Sequence, residues 1–536
     1  MAKRRVKKVA RASVAHAPVV GTNWLSWFLL VGVGLAMLGV TGANFISSEL
    51  TKTILLTWVI VFGLVSWFSL LLSRGAVSWS WHWLDLAVLF WFGVNVAAAL
   101  HSDLPRVSVW GFGDLYGDGL MAATAAVVLF VLMVNIPGRF SLKHWLWLVA
   151  ALGALGSLGV WITTVSPVTV SFISRLASQT GVFLAVCVPV VLSLRLSLQW
   201  AWERWVSMGV LVLCMTALIF LDQSQAWWVL LVGLAIWLLG QRLITSTQLV
   251  QKSMLVAGLM AFAVISLSLE VGVFQTDIFL STADTWQLIA QQLHNPGLGV
   301  GQQNFVLLSA AQNPTATAFV TLASSSVLSW LVGLGIIGVV AWGSVVGCML
   351  WCLLKEWRRT NPTQEQWGAF SAWVAVVVAA FILPVGLASL VLFWVLLAAL
   401  HRSLWSPADW SIKSERLITT FSMLALAVSA VFLLFSLWVG GRLLLAQYHY
   451  WTAQELYAQG TDAAEVKIEL QAAQRLAPQA AEYNFALAEL LLIQEEATPQ
   501  GLIEPIQNLI REGLRTAPYQ LQWKNILEQL TQSTEE

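Results

Sequence analysis

Long apolar runs alternate with short polar segments from about residue 24 to residue 445. A helix needs about 17–25 mainly apolar residues to cross a hydrocarbon core about 30 Å thick, and it satisfies its backbone hydrogen bonds within one segment. The runs therefore predict an all-α membrane protein with about thirteen transmembrane helices. The predicted spans are residues 24–46, 53–73, 82–101, 119–136, 144–164, 179–198, 205–222, 225–240, 254–271, 325–354, 368–384, 387–401 and 417–441, of which 225–240 and 387–401 are short for this rule.

The pattern changes after Arg442, where apolar runs give way to amphipathic helical periodicity with many Glu and Gln residues. Tyr450, Ala473 and Pro478 have a spacing similar to that of a tetratricopeptide repeat (TPR). In that repeat a small residue lets paired helices approach closely, and a proline ends the second helix. Residues 446–536 are therefore predicted to form a TPR-like helical repeat domain, and an ordinary helical bundle is the alternative.

A second copy of the repeat is predicted to place Gly513 at a helix crossing and Pro518 at its end. The two prolines lie 40 residues apart, whereas the repeat period is about 34 residues. An insertion near residues 495–503 explains the difference, and residues 520–530 are predicted to form a capping helix. Such repeats bind peptides or proteins, so an unidentified protein partner is expected.

Composition agrees with a membrane protein, since 58% of the residues are hydrophobic and only 10% are charged. The net charge of +1 gives no reason to expect nucleic acid as a partner. Many of the 31 tryptophans lie near predicted span ends, where an aromatic belt at the lipid headgroups is expected and sugar stacking is the alternative. Cys348 and Cys352 are one helical turn apart, but no further ligands lie nearby, so neither a metal nor a cofactor is predicted.

Orientation follows from the distribution of Lys and Arg, which are enriched in cytoplasmic loops of membrane proteins. Residues 1–23 form a basic segment that is predicted to lie in the cytoplasm. If the spans alternate from there, only Lys52, Arg106 and Arg175 fall in outer loops before the tail. The protein is thus predicted to lie in the inner (cytoplasmic) membrane, with the repeats on the periplasmic or extracellular side.

The largest predicted outer loop, residues 272–324, contains a helix led by a tryptophan and then the sequence Asn-Pro-Gly-Leu-Gly-Val-Gly at 295–301. This arrangement resembles the signature of the O-antigen ligase and O-antigen polymerase superfamily of membrane glycosyltransferases. The resemblance assigns residues 24–445 to the transmembrane domain of that superfamily. It implies that the loop shapes a substrate cavity through Trp286, Asn295, Pro296, Gly297, Gly299, Gly301 and Asn304.

Three further stretches extend the resemblance: residues 101–111, residues 175–181 and residues 224–227. The family transfers a polyprenyl-pyrophosphate-linked glycan to an acceptor on the outer face of the membrane. Its outer arginines hold the pyrophosphate, because a guanidinium fork matches phosphate oxygens. The resemblance therefore implies that Arg106 and Arg175 bind pyrophosphate, and an interfacial position or a loop salt bridge is the alternative.

Several positions depart from the family pattern. Gln225 and Thr282 replace arginines, Ser324 and Ser325 stand where an outer His-Asn pair is expected, and Gly333 replaces a glutamate. His294 is a weak candidate for a catalytic base, although a loop histidine of this kind is more often a helix C-terminal residue.

Two functions therefore stay open: a glycosyltransferase, and a catalytically degenerate scaffold that recruits partners through its repeats. A secondary transporter is less favoured, since matched pairs of broken helices and intramembrane charges are not evident. Asp85, within a predicted span, is either a functional residue or one that reaches the cytoplasmic interface.

Overall fold

The computed structural model describes residues 23–38, 49–74, 77–78, 82–102, 108–109, 119–135, 141–165, 170–221, 223–244, 297–301, 325–358, 361–383, 385–404, 411–412, 415–478, 480–495, 503–516 and 521–535. The membrane-part helices are α1 (Asn23–Leu38), α2 (Glu49–Arg74), α3 (Trp83–His101), α4 (Leu120–Asn135), α5 (Leu142–Val165), α6 (Val170–Ser197), α7 (Ala201–Leu221), α8 (Ser224–Ile244), α9 (Ser326–Trp357), α10 (Gln364–Ile382), α11 (Leu387–Leu404) and α12 (Glu415–Ala458). The tail helices are α13 (Ala463–Leu476), α14 (Ala481–Glu495), α15 (Ile503–Thr516) and α16 (Leu521–Glu535). Two short strands, β1 (Val77–Ser78) and β2 (Ser411–Ile412), pair antiparallel.

Nine helices in the described part of the chain are long and apolar enough to cross a membrane, and α4 and part of α8 are shorter apolar helices. The 16-residue α1 overlaps the predicted span 24–46, and the predicted span 254–271 lies outside the described residues. The prediction of a multi-pass helical membrane protein is therefore confirmed. The count of about thirteen spans stays a prediction.

Helix α6 lies at the centre of the bundle, where it packs against α5, α7, α8 and α10. Small residues permit this packing: a Cβ at Gly153 of α5 would lie 3.1 Å from Cβ of Cys187 and 3.2 Å from Sγ of Cys214. Those two cysteines are buried, whereas Cys348 and Cys352 are only half-buried. Close approach of helix axes maximises van der Waals contact, which stabilises helix packing in lipid.

Antiparallel neighbours divide the bundle into two ends. The indole N–H of Trp58 in α2 donates to the carbonyl of Ser436 in α12 over 3.0 Å, and the rings of Phe68 and Phe421 lie 6.4 Å apart. Hence α12 runs antiparallel to α2 and leaves the bundle where α2 begins. We call this end, from which α12 leads into the tail, the tail end.

The opposite end, which we call the basic end, carries most of the described cationic side chains of the membrane part. Lys143 at the start of α5 pairs with Glu203 at the start of α7 over 3.7 Å, and Arg402 donates to the carbonyl of Met133 over 3.2 Å. The rings of Trp27 and His144 meet there as well, with centroids 6.2 Å apart. Because α1 begins at this end, the two ends of the described chain lie on opposite faces of the bundle.

Helix α12 continues for 44 residues without a break. The predicted boundary between membrane part and tail, at residues 445–446, therefore lies inside one helix. The helices expected in the tail are confirmed by α13 to α16, and Pro478 follows the end of α13 as predicted. Assignment of these helices to the TPR family stays a prediction.

Small residues close the tail crossings. A Cβ at Gly513 would lie 2.5 Å from the ring of Phe485, and that ring stacks on Trp523 with centroids 4.9 Å apart. The hydroxyl of Tyr483 donates to Oε1 of Gln447 over 2.8 Å. Burial raises the pKa of the Tyr483 phenol, so the phenol stays protonated and keeps donating.

Candidate functional site

The residues implied by the family resemblance are described only in part. Gly297, Gly299 and Gly301 are described, and so is the backbone of Arg175 within α6. The remaining candidate positions lie outside the described residues: Arg106, Trp286, His294, Asn295, Pro296 and Asn304, with Thr282 and Ser324. The described part of the site therefore consists of the three glycines and the segments they contact.

Residues 297–301, which we call the glycine strap, contact a break in α9. Gly335 has φ 68° and ψ −171°, which interrupts the helical backbone. The N–H of Val300 donates to the carbonyl of Val332 over 3.0 Å, and the N–H of Ile337 donates to the carbonyl of Gly297 over 3.2 Å. The strap thus supplies partners to backbone groups that the break removes from the helical pattern.

Glycine is required on both sides of this contact. Gly299 and Gly335 both have positive φ, and a Cβ at either one would clash with the backbone of the other segment. Only glycine lets two backbones approach this closely in such conformations. Glycines in residues 295–301 and residues 331–338, which the sequence placed far apart, therefore form one contact.

A buried pair of serines extends the site to the end of α3. Ser108 donates its hydroxyl to the hydroxyl of Ser102 over 2.8 Å. Gly301 has φ 96°, and a Cβ there would clash with Ser102 and Ser108. The stretch 101–111 and the glycine strap thus meet at the tail end.

Helix α9 also begins at this end, beside the link between α10 and α11. The N–H of Ser326 donates to the carbonyl of Leu383 over 3.0 Å, and the hydroxyl of Ser326 accepts from the N–H of Val385 over 2.7 Å. A Cβ at the next residue, Gly386, would clash with the side-chain amide of Gln179. The stretch 175–181 therefore reaches the same region.

The fourth stretch, residues 224–227, packs on the third. A Cβ at Gly181 would lie 3.0 Å from Cβ of Ala226 and 3.6 Å from Cβ of Gln223. All four stretches that the sequence singled out accordingly lie at one end of the bundle. The side chains that these contacts bring there are hydroxyls and amides, namely Ser102, Ser108, Gln179, Gln223, Ser325 and Ser326.

Two of the residues that differ from the family pattern, Ser325 and Gln225, lie in the described part of the chain. The hydroxyl of Ser325 accepts from the N–H of Leu328 over 3.2 Å and caps the N-terminus of α9. Gln225 lies in the first turn of α8 and is half-buried. Sequence reasoning did not single out the contacts of Ser102, Gln179 and Gly386, although two of these residues belong to motifs it had marked.

Asp85 lies at the basic end, where it accepts from the N–H of His82 over 2.8 Å and completes a capping box at the start of α3. This contact agrees with its interpretation as a residue near the interface. Within the described residues, no group of three or more His, Cys, Asp or Glu side chains could hold a metal ion.

The tryptophans divide by position. Trp200, Trp202 and Trp205 are exposed at the basic end, as an interfacial belt requires. Trp227 also lies near a predicted span end, that of residues 225–240, but it is buried, because α8 packs against α6 and α10. Within the described part, the belt prediction is therefore wrong for Trp227.

Comparison with known proteins adds no relative. The chain matches no protein-family model, and no curated protein matches it. The fold and the site define a class only: a multi-pass helical membrane protein with a helical tail and a glycine-lined polar region at the tail end.

Proposed function

We propose that this protein is a member of the O-antigen ligase and polymerase superfamily that works in cell-surface glycan assembly. In this proposal a polyprenyl-pyrophosphate-linked glycan binds at the tail end and is transferred to an acceptor on the outer face. One observation supports it above the others: the four stretches that resemble the family lie at the same end of the bundle, where each contacts another of them or the α10–α11 link. Segments separated by more than a hundred residues in the sequence thus meet at one end of the bundle, as a binding site requires.

The roles assigned to individual residues belong to the same proposal. Arg106 and Arg175 bind the pyrophosphate, and the residues flanking the strap shape the cavity. The same proposal includes about thirteen spans in the inner membrane, a tail end that faces outside, and a TPR-like domain formed by residues 446–536. Each charge-assisted contact to a phosphate contributes about 1.5–3 kcal/mol, so two arginines have a large effect on turnover.

A second candidate is a catalytically degenerate scaffold. It is favoured by Ser325, which stands with Ser324 where the His-Asn pair is expected and caps a helix. A hydroxyl engaged in capping does not replace a base. In this alternative the membrane part anchors the tail, and the tail recruits a protein partner to envelope assembly.

A secondary transporter is less well supported. Transporters of several folds have broken helices in matched halves, and α9 is a broken helix. Among the described helices, however, α9 is the one with a non-helical residue in its interior. A matching break in another helix would be needed to favour transport.

The test is complementation of a deletion strain, scored by the profile of surface glycans at equal membrane abundance. The double variant Arg106→Ala/Arg175→Ala removes the proposed phosphate contacts. Its matched control is Lys355→Ala/Arg358→Ala, which removes two exposed cationic side chains at the basic end of α9, away from both the proposed site and the tail. A third variant lacks residues 463–536 and so keeps α12 whole.

If the protein is a glycosyltransferase, the amount of surface glycan should fall by orders of magnitude in the Arg106→Ala/Arg175→Ala variant and stay normal in the control. The scaffold alternative predicts a normal glycan profile in both double variants and loss of function in the variant that lacks residues 463–536. A normal profile in all three variants contradicts both candidates.

A further inference from the structure

The glycine strap lies between two backbone groups of α9 that would be hydrogen-bonded to each other in a continuous helix. In a continuous α-helix, the N–H of Ile337 would donate to the carbonyl of Gly333, four residues earlier. Here the N–H of Ile337 donates to Gly297 over 3.2 Å, and the carbonyl of Gly333 accepts from the N–H of Gly301 over 2.9 Å. The strap therefore separates the two groups and gives each of them another partner.

The helix adopts a costly backbone conformation to accept the strap. The φ and ψ of Gly335 lie in a region that is essentially restricted to glycine. Gly335 also leaves the space that Gly297 and Gly299 fill. The break thus depends on both the strap and Gly335, and a change in either one can restore the continuous helix.

We propose that α9 is a two-state element whose state is set by the strap. With the strap engaged, the helix is broken at Gly335. With the strap withdrawn, residues 326–357 form one continuous helix, closed by the hydrogen bond from Ile337 to Gly333. The backbone groups of Val332, Gly333 and Ile337 that bond to the strap in the broken state have helical partners in the continuous state, as a membrane environment demands.

The switch extends beyond the strap. The first half of α9 is tied to the α10–α11 link by both hydrogen bonds of Ser326, so rejoining the helix redirects this link as well. Gly386 in the link contacts Gln179 of α6. A change at the strap therefore reaches the polar region from two sides, as a bistable packed element can do.

This inference depends on backbone geometry and not on the ligand. Its failure would therefore leave the proposed function intact, and failure of the proposed function would leave this inference intact. The experiment is amide hydrogen exchange, read by mass spectrometry on the full chain in lipid nanodiscs. Gly335→Ala disfavours the broken state. Gly343→Ala is the matched control, because Gly343 lies in the same helix and a Cβ there meets nothing within 4 Å.

We expect Gly335→Ala to raise exchange in peptides containing residues 297–301 by about ten- to hundredfold. Exchange in residues 330–338 should stay equal or fall, since those amides regain helical partners. Gly343→Ala should match the unchanged protein.

Unchanged strap exchange in folded Gly335→Ala protein overturns the proposal. A joint rise in both peptides also overturns it, because that pattern is local unfolding rather than a rejoined helix. If Gly335→Ala does not accumulate, Gly299→Ala tests the strap from its own side, with the same pattern expected. Failure of both variants to accumulate shows that the break is a fixed part of the fold, which contradicts the switch.

Discussion

At the scale of single residues, two adjacent glycines of α12 have different surroundings. A Cβ at Gly440 would lie 2.8 Å from Ile54 and 3.1 Å from the indole of Trp58, whereas a Cβ at Gly441 meets nothing within 4 Å. Gly440 therefore allows α2 and α12 to come close, and the hydrogen bond from Trp58 to Ser436 depends on that approach.

We predict that Gly440→Ala destabilises the protein by about 1–3 kcal/mol, since the added methyl overpacks the α2–α12 contact. Gly441→Ala should be neutral or slightly stabilising, because alanine has the higher helix propensity. The measurement is the thermal midpoint of the purified chain in detergent, followed by tryptophan fluorescence. Equal midpoints for the two variants would rule out the close contact at Gly440.

At the scale of elements, the tail needs the end of α12. Ala446 is fully buried against Ala473, Ala477 and Tyr483, and Leu443 packs on the same cluster. A fragment that begins at Tyr448 would therefore lack part of its own core, although its apolar faces otherwise pack within the tail.

We predict that a soluble fragment of residues 442–536 is helical. The shorter fragment, residues 448–536, should be less stable by about 2–4 kcal/mol, because it loses apolar burial and one hydrogen bond. Urea unfolding of both fragments, followed by circular dichroism, measures the difference. A random-coil spectrum of the longer fragment, or equal stability of the two, would contradict an independent tail that includes the end of α12.

The hydrogen bond from Tyr483 to Gln447 can be tested in the longer fragment. Tyr483→Phe should lower the free energy of unfolding by about 0.5–1.5 kcal/mol, because the ring keeps its packing and only the hydroxyl is lost. Tyr457→Phe is the matched control, since Tyr457 is 60% exposed. An equal effect of both substitutions would show that the hydrogen bond contributes nothing specific.

At the scale of the whole molecule, the charge asymmetry predicts orientation. Described lysines and arginines of the membrane part concentrate at the basic end, among them Lys143, Arg204 and Arg402. Cytoplasmic loops are enriched in these residues. The basic end is therefore predicted to face the cytoplasm and the tail to lie outside.

Two cysteine variants test this orientation with an impermeant thiol reagent. Gln500→Cys in the tail should react in intact cells. Gln199→Cys, in the exposed turn between α6 and α7 at the basic end, should react only after the membrane is permeabilised. The reverse order of reactivity would mean that the predicted orientation is wrong.

The sequence by itself determined the class of fold and most helix positions. Long apolar runs in lipid must form helices, because no water is present to satisfy backbone groups otherwise. The tail helices were also predictable, since Pro478 and the amphipathic periodicity mark their limits. For the candidate site, the sequence identified four stretches and the importance of glycine in one of them, residues 295–301.

Only the tertiary structure decided which glycines matter and what they contact. Residues 331–338 contain Gly333, Gly335 and Gly338, yet Gly335 alone of these has positive φ, because the strap packs against it. Gly440 and Gly441 are likewise equivalent in sequence, and the position of α2 distinguishes them. A glycine in the sequence shows only that unusual backbone angles and close approach are allowed at that position. The segment that approaches it is distant in the sequence, and packing of the whole bundle sets where that segment lies.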